Sequence, residues 1–154
     1  MLEYQRQSSR LTLRAGHAEY AAAFAPSLTT RSLPSEATAF FRCHDIVHVV
    51  FGCDLSLEHE MVVKISSFFG TTEGLRTLRG YRLPASKEIY ADIGPRDIAR
   101  MTVKSTVLIP KVLWRCSRLH KRWPWDGFDA QLERPLCDIR QEFGIRVATH
   151  HQKE

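Results

Sequence analysis

Residues 40–60 carry the pattern that most constrains the fold, because it predicts two helices joined by a tight turn. Gly52 follows the first apolar stripe and is the residue type that most readily closes a helix C-terminus. Ser56 then suits the N-cap of a second helix, with Glu58 and Glu60 in its positive first turn. The stripes recur at steps of three and four, as an amphipathic helix requires: Phe40, Phe41, His44, Val47, His48 and Phe51 in the first, and Leu57, Met61, Ile65 and Phe68 in the second.

Four side chains that commonly bind metals lie on this hairpin. His44 and His48 lie on the inward-facing stripe of the first helix, and Asp45 lies at the edge of that stripe. His48 and Glu60 each stand six positions from Asp54, so antiparallel helices rising about 1.5 Å per residue place them at similar height. Buried separately, such groups would be costly to desolvate. We therefore predict a divalent metal bound by His44, Asp45, His48 and Glu60, although Asp45 could instead orient a ligand from behind.

The donor set favours some cations over others. Two imidazoles and two carboxylates suit Zn²⁺, Mn²⁺ or Fe²⁺ better than Ca²⁺, which prefers oxygen alone. Zn²⁺ is the first choice, with Mg²⁺, Mn²⁺ and Fe²⁺ as alternatives. Nearby aromatic side chains indicate an apolar cavity beside the ion; they are Phe40, Phe41, Phe51, Phe68 and Phe69.

The motif His44-Asp45-x-x-His48, eleven residues and then Glu60 resembles the signature of the coenzyme Q (ubiquinone) biosynthesis family of small all-helical proteins. Residues 133–145, ERPLCDIRQEFGI, are similar to that family's closing PLxxxRxExGI segment. The two matches bracket most of the chain. The resemblance implies that the four hairpin positions are metal ligands.

The same resemblance implies a ligand and a reaction. The ligand would be a prenylated quinone precursor or another isoprenoid lipid, and the reaction a decarboxylation or hydroxylation at ring carbon C1, as in a lyase or oxidative decarboxylase. In such an enzyme, His44, His48 and Glu60 hold the ion, and Asp45 is a fourth ligand or the catalytic base. Other ubiquinone biosynthesis enzymes become candidate partners. Two alternatives stay open: a non-catalytic lipid-binding scaffold, and a less favoured HD-type metal phosphohydrolase, whose ligands usually come from more distant parts of a chain.

The length of 154 residues predicts one compact domain, an all-α bundle of about six helices around the hairpin. Residues 1–14 are expected to be extended or flexible, and residues 147–154 to form a flexible tail. The sequence contains no run of eighteen apolar residues, so no membrane-spanning helix is predicted. The cysteines lack CxxC spacing and are interpreted as reduced thiols of a cytoplasmic protein; they are Cys43, Cys53, Cys116 and Cys137.

Further helices are predicted outside the hairpin. They cover residues 17–25, residues 72–80, a short stretch at residues 87–91, and a long segment over residues 95–123 that Pro110 should kink or interrupt. A last helix should open at Pro135 and end at Gly144.

The predicted helix over residues 95–123 carries a dense positive charge: Arg96, Arg100, Lys104, Lys111, Arg115, Arg118, Lys121 and Arg122. It is either a solvated face whose long stems cover the core or a contact with an anionic membrane surface, which would make the protein peripherally associated. Nucleic acid is not expected as a partner, since no recognition motif accompanies the charge. Whether the chain forms a homodimer stays open.

Overall fold

The chain folds into α-helices and short 3-10 turns. The computed structural model describes residues 1–24, 35–82 and 94–148, except for the side chains of residues 95–102. Within these ranges there is no β-strand, and the α-helices are α1 (Leu13–Phe24), α2 (Ser35–Phe51), α3 (Leu57–Phe69), α4 (Leu78–Tyr81), α5 (Pro95–Ser117) and α6 (Leu136–Phe143). Three 3-10 helices also occur, at Glu3–Gln5, Gly74–Thr77 and Asp129–Gln131. The all-α fold predicted from the sequence is confirmed.

Helices α2 and α3 form the predicted hairpin. Gly52 closes α2 in the left-handed conformation, with φ of +69°, and the Cys53 amide donates to the His48 carbonyl over 2.8 Å. Ser56 caps α3 by accepting a hydrogen bond from an amide of its first turn. A side chain at position 52 would also collide with Val147, whose Cβ lies 2.8 Å from where a Cβ would be. Turn conformation and close packing therefore both require glycine there.

The N-terminal segment corrects the expectation of an extended, flexible start over residues 1–14. Tyr4 is fully buried, and its hydroxyl donates to the Cys53 carbonyl over 2.7 Å. The Glu19 carboxylate accepts two backbone amides of the segment, at 3.0 and 2.8 Å. Helix α1 begins at Leu13, four residues before the predicted start at 17. The buried Tyr4 ring and the Glu19 carboxylate therefore anchor this segment, although its sequence is largely polar.

Arg140 on α6 ties three segments together. Its guanidinium donates to the Val49 and Val50 carbonyls at the end of α2, at 2.8 and 2.9 Å. It also donates to the Tyr4 and Arg6 carbonyls, both at 2.6 Å. Burial lowers its pKa to about 10, so the side chain stays charged at neutral pH. The positive charge meets the negative C-terminal end of α2, which favours this arrangement.

The end of the chain packs against the same end of α2. Helix α6 begins one residue after Pro135 and ends at Gly144, with φ of +72°, close to the predicted limits. Val147 and Ala148 are buried, and the Ala148 amide donates to the Phe51 carbonyl over 2.9 Å. The tail predicted to be flexible from residue 147 therefore starts with packed residues, while residues 149–154 lie outside the described part of the chain.

Helix α5 is shorter than predicted. It begins at Pro95 and continues through Pro110, but it ends at Ser117 rather than near residue 123. Trp123 lies beyond it, fully buried, and its amide donates to the Gly70 carbonyl over 2.8 Å. The chain leaves the helix so that this indole can pack at the end of α3.

The prediction over residues 72–80 corresponds to the 3-10 helix Gly74–Thr77 followed by α4. The predicted helix at residues 87–91 falls outside the described residues.

One face of α5 is apolar and exposed. Val103 and Val107 are 73% and 72% exposed, and Trp114 is 56% exposed. Val112, on the opposite face, is buried, so the helix packs on the core through that side. None of the described helices is both long and apolar enough to cross a membrane.

Candidate metal centre

The inward stripe of α2 brings two histidines to the face of α3 that carries Glu60. His48 Nε2 lies 3.1 Å from Glu60 Oε1, and His44 Nε2 lies 3.8 Å from Glu60 Oε2. One ligand atom from each of the three residues lies within 4.8 Å of the others. Both imidazoles are buried, and the Glu60 side chain is 15% exposed. The three residues form a cluster that can hold a metal ion, with ligands from both helices as the hairpin geometry predicts.

The nitrogens that face Glu60 lack hydrogen bonds. His44 Nε2 and both ring nitrogens of His48 are buried and make no hydrogen bond. Such a buried unpaired polar atom costs about 1–3 kcal/mol. Ligand atoms at the usual 2.0–2.2 Å from a shared ion stand roughly 3.0–3.6 Å apart. The two histidine–glutamate separations lie in or close to this range, and all three ligand atoms lie within 4.8 Å of one another, so the residues present fit a metal once the cluster contracts by up to about 1 Å.

The charge state of the cluster suits a cation. Burial lowers the pKa of His44, while the neighbouring carboxylates of Asp45 and Glu60 act in the opposite direction. A neutral imidazole offers the lone pair that a metal needs. His44 is therefore favoured as a neutral nitrogen donor in the cluster.

Asp45 is placed differently from the other three predicted ligands. Its Oδ1 lies 3.9 Å from His44 Nδ1, longer than a hydrogen bond, on the opposite side of the ring from Glu60. It is not part of the three-residue cluster. A carboxylate behind a ligand imidazole typically fixes the orientation of the ring. This position favours the orienting role, and a role as ligand or base stays a prediction.

Two tyrosines enclose the histidines, and sequence reasoning missed both. The Tyr20 ring packs on His48 with centroids 5.3 Å apart, and Tyr81 meets His44 edge-on at 5.7 Å. Both hydroxyls are buried without a hydrogen-bond partner, although Tyr81 faces the hydroxyl of Ser67. Burial raises the pKa of both phenols well above the usual range, so they stay protonated and able to donate. For Tyr20, the only signal was its place, with Phe24, in the alanine-rich stretch at 17–25.

The expected ring of phenylalanines is only partly present. The Phe40 ring lies 6.0 Å from His44 and 5.1 Å from Tyr81, and Phe68 lies 5.7 Å from Tyr81. Phe69 is 47% exposed, so it does not line an interior cavity. Because Phe68 and Phe69 are adjacent on one helix, only one of them can face inward.

The cysteines beside the hairpin are not among the clustered ligands. Burial raises the pKa of Cys43 to about 11 and that of Cys53 above its usual range, which keeps both as thiols. All four cysteines are free.

His59, interpreted from the sequence as a surface or cap residue, is buried, and its Nδ1 lies 2.8 Å from Asp54 Oδ1. This pair closes the hairpin turn. Asp54, five positions before His59, was the feature of the sequence that could have indicated the pairing.

Together these groups can hold a cation and donate hydrogen bonds to an oxygen beside it. Two helices supply the three metal donors, and Tyr20 and Tyr81 supply protonated hydroxyls. No protein-family model, curated protein or solved structure matches this chain.

Proposed function

We propose that this protein is a metal-dependent enzyme that binds a prenylated quinone precursor and promotes its decarboxylation at ring carbon C1; hydroxylation at the same carbon would require dioxygen as a two-electron oxidant. The observation that carries the proposal is the cluster of His44, His48 and Glu60 with its unpaired buried nitrogens. The resemblance of the hairpin motif to the ubiquinone biosynthesis family supports the choice of substrate. Zn²⁺ is the preferred ion, with Mg²⁺, Mn²⁺ and Fe²⁺ as alternatives. A bound divalent ion with an open position polarises a carboxylate or phenolate oxygen.

The residues around the cluster would orient the substrate. The Tyr20 hydroxyl makes no hydrogen bond and the Tyr81 hydroxyl faces Ser67, so both would be able to donate hydrogen bonds to the polar head group. Phe40, beside His44 and Tyr81, would exclude water from the aromatic ring of the ligand. Asp45 would hold the His44 ring in place or accept a proton.

The test compares two glutamates on the same helix. Glu60→Gln removes a ligand, whereas Glu58→Gln changes an exposed residue that pairs with Lys104. Each protein is loaded with Zn²⁺, Mn²⁺, Fe²⁺ or Mg²⁺ and supplied with a hydroxybenzoate carrying a short prenyl tail. Release of carbon dioxide should require metal, survive Glu58→Gln and be lost in Glu60→Gln. Equal turnover in both variants would overturn the proposal.

A non-catalytic, lipid-binding scaffold is the second candidate, because the cluster is enclosed. His48 is fully buried and His44 is 6% exposed, which suits a structural ion as well as a catalytic one. In that case the protein retains one prenylated ligand by native mass spectrometry, without turnover. A metal phosphohydrolase is a weaker alternative, since the three ligands come from one hairpin; release of phosphate from simple phosphoesters would support it.

The exposed face of α5 supports a contact with an anionic membrane surface. Val103, Val107 and Trp114 form an apolar stripe, and Lys111 and Arg118 flank it, as in helices that lie in an interface. Val107→Asp should reduce binding to phosphatidylglycerol vesicles several-fold in sedimentation. Leu75→Asp is the control, because Leu75 is 62% exposed and lies outside α5. An equal loss in both variants would argue against this contact.

A further inference from the structure

A broad groove lies between the C-terminal end of α5 and the turn after α6. Its volume is about 940 Å³, and none of the three clustered ligands lines it. Most of its charged lining is arginine, and we call it the arginine groove. Its defining residues are Trp114, Arg115, Arg118, His120, Arg140 and Arg146.

The fold builds this groove at a point of close backbone contact. Gly144 lies against the chain that follows α5, where an added Cβ would be 3.0 Å from the His120 amide and 3.1 Å from the Arg118 carbonyl. The His120 amide donates to the Phe143 carbonyl over 3.0 Å. This contact brings the segments that carry Arg118 and Arg146 together, and both side chains line the groove.

The positive charge in the groove is not neutralised by nearby acids. In the described part of the chain, no aspartate or glutamate lines the groove, and Arg115, Arg118 and Arg146 form no ion pair. Arg140 also lines the groove, and all of its hydrogen bonds go to carbonyls rather than carboxylates. The C-terminal end of α5 favours Arg115 and Arg118 through its dipole, but this does not account for Arg146.

We propose that the arginine groove binds the phosphate or diphosphate group of a small ligand. The planar fork of arginine matches phosphate oxygens, and Arg115, Arg118 and Arg146 line this groove without ion pairs in the described part of the chain. The groove is larger than a bare phosphate requires, so it can also hold the organic part of the ligand. Trp114 offers an exposed ring at one wall, with the Arg118 guanidinium 5.2 Å from its centroid. The proposal is independent of the metal cluster.

Titration calorimetry with two probes tests the site and separates two sources of the phosphate. The first probe is inorganic pyrophosphate, and the second is a water-soluble short-chain phosphatidic acid below its micelle concentration. The full chain should bind at least one of them saturably. Tighter binding of pyrophosphate indicates a soluble phosphorylated ligand, and tighter binding of phosphatidic acid indicates a lipid head group. Both results support the groove, whereas saturable binding of neither would overturn it.

Charge-matched variants decide whether the groove itself binds. Replacing Arg115, Arg118 and Arg146 with glutamine should weaken binding at least about tenfold, since each removes charge-assisted hydrogen bonds. The control replaces Arg10, Arg76 and Arg79, which are exposed and outside the groove, and loses the same charge. An equal loss in both triple variants would reduce the effect to net charge and refute the proposal. The exposed single change Arg118→Gln, with circular dichroism on every variant, guards against loss of folding.

Discussion

Two buried polar groups meet α2, and they differ in how completely their hydrogen bonds are made. The Arg140 guanidinium, on α6, donates to four carbonyls, two of them at the end of α2. The imidazoles of His44 and His48, on α2 itself, face Glu60 with nitrogens that make no hydrogen bond. A saturated buried charge is expected to hold a fold together, whereas an unsaturated donor set is expected to take up a ligand. The difference therefore assigns stability to one region and binding to the other.

The largest effect should come from removing the saturated group. Arg140→Met removes hydrogen bonds to four carbonyls, of which those of Arg6 and Val49 keep a backbone donor; each lost bond is worth roughly 1–3 kcal/mol, and the losses are not fully additive. The free energy of unfolding should fall by about 3–5 kcal/mol, with or without metal, as measured by urea denaturation. Arg122→Met, at an exposed position, should change it by less than about 0.5 kcal/mol. Similar losses in the two variants would show that the hydrogen bonds of Arg140 do not stabilise the fold.

The opposite behaviour is expected of the unsaturated group. His48→Leu replaces a buried imidazole that has no hydrogen bond, so the metal-free protein should keep its stability. The parent protein should gain about 4 kcal/mol at a metal concentration a thousand times its Kd, and the variant should gain none. Thermal unfolding with and without Zn²⁺ measures this, and the exposed His120→Leu should retain the gain. A parent protein that Zn²⁺ does not stabilise would show that the cluster is not a metal site.

A substitution at Asp45 tests whether this residue is a metal ligand or only orients His44. If it only orients His44, Asp45→Asn should weaken metal binding by about 10–100-fold, less than the loss caused by Glu60→Gln. Competition with a chromogenic chelator gives both affinities. Equal losses in the two variants would instead make Asp45 a direct ligand.

The smallest effect concerns Asp54 in the hairpin turn, a polar group whose hydrogen bonds are made. Desolvation opposes its ionisation, but hydrogen bonds from His59 and Ser56 outweigh this and hold the pKa well below the usual 3.8. Because the folded pKa is the lower one, the stabilisation is fully present above about pH 3.8 and is lost as the pH falls further.

Asp54→Asn should therefore cost about 1 kcal/mol at neutral pH and flatten the acid limb of a stability curve measured by denaturation between about pH 5 and pH 2. Asp126→Asn, at an exposed position, should leave the acid limb as it is. A parent-like curve for Asp54→Asn would show that its hydrogen bonds contribute nothing.

The hairpin could be predicted because its signals are local. Gly52 and Ser56 act within one helical turn, and the stripe that carries His44 and His48 follows from helix periodicity. The prediction of α5 extended too far, since the basic residues continue past Ser117 at Lys121 and Arg122, where the chain has already left the helix.

The hydrogen bonds of Arg140 could not be predicted from neighbouring residues in the sequence. The Arg140 guanidinium donates to the Val50 carbonyl, 90 positions away in sequence. Because its acceptors are backbone carbonyls, the sequence contains no acidic residue that would identify its partner. The packing of Tyr20 on His48 was missed for the same reason, because it depends on how α1 crosses α2.

Local spacing was thus enough to set the helical character of this chain and to direct His44, His48 and Glu60 toward one another. Only the packed structure decided that the imidazole nitrogens would be left without hydrogen bonds, that Tyr20 and Tyr81 would enclose them, and that arginines from two distant segments would share a groove. Periodicity governs where a side chain points along its own helix. Whether a buried polar atom finds a partner depends on contacts between elements far apart in sequence, and those exist only once the chain has packed.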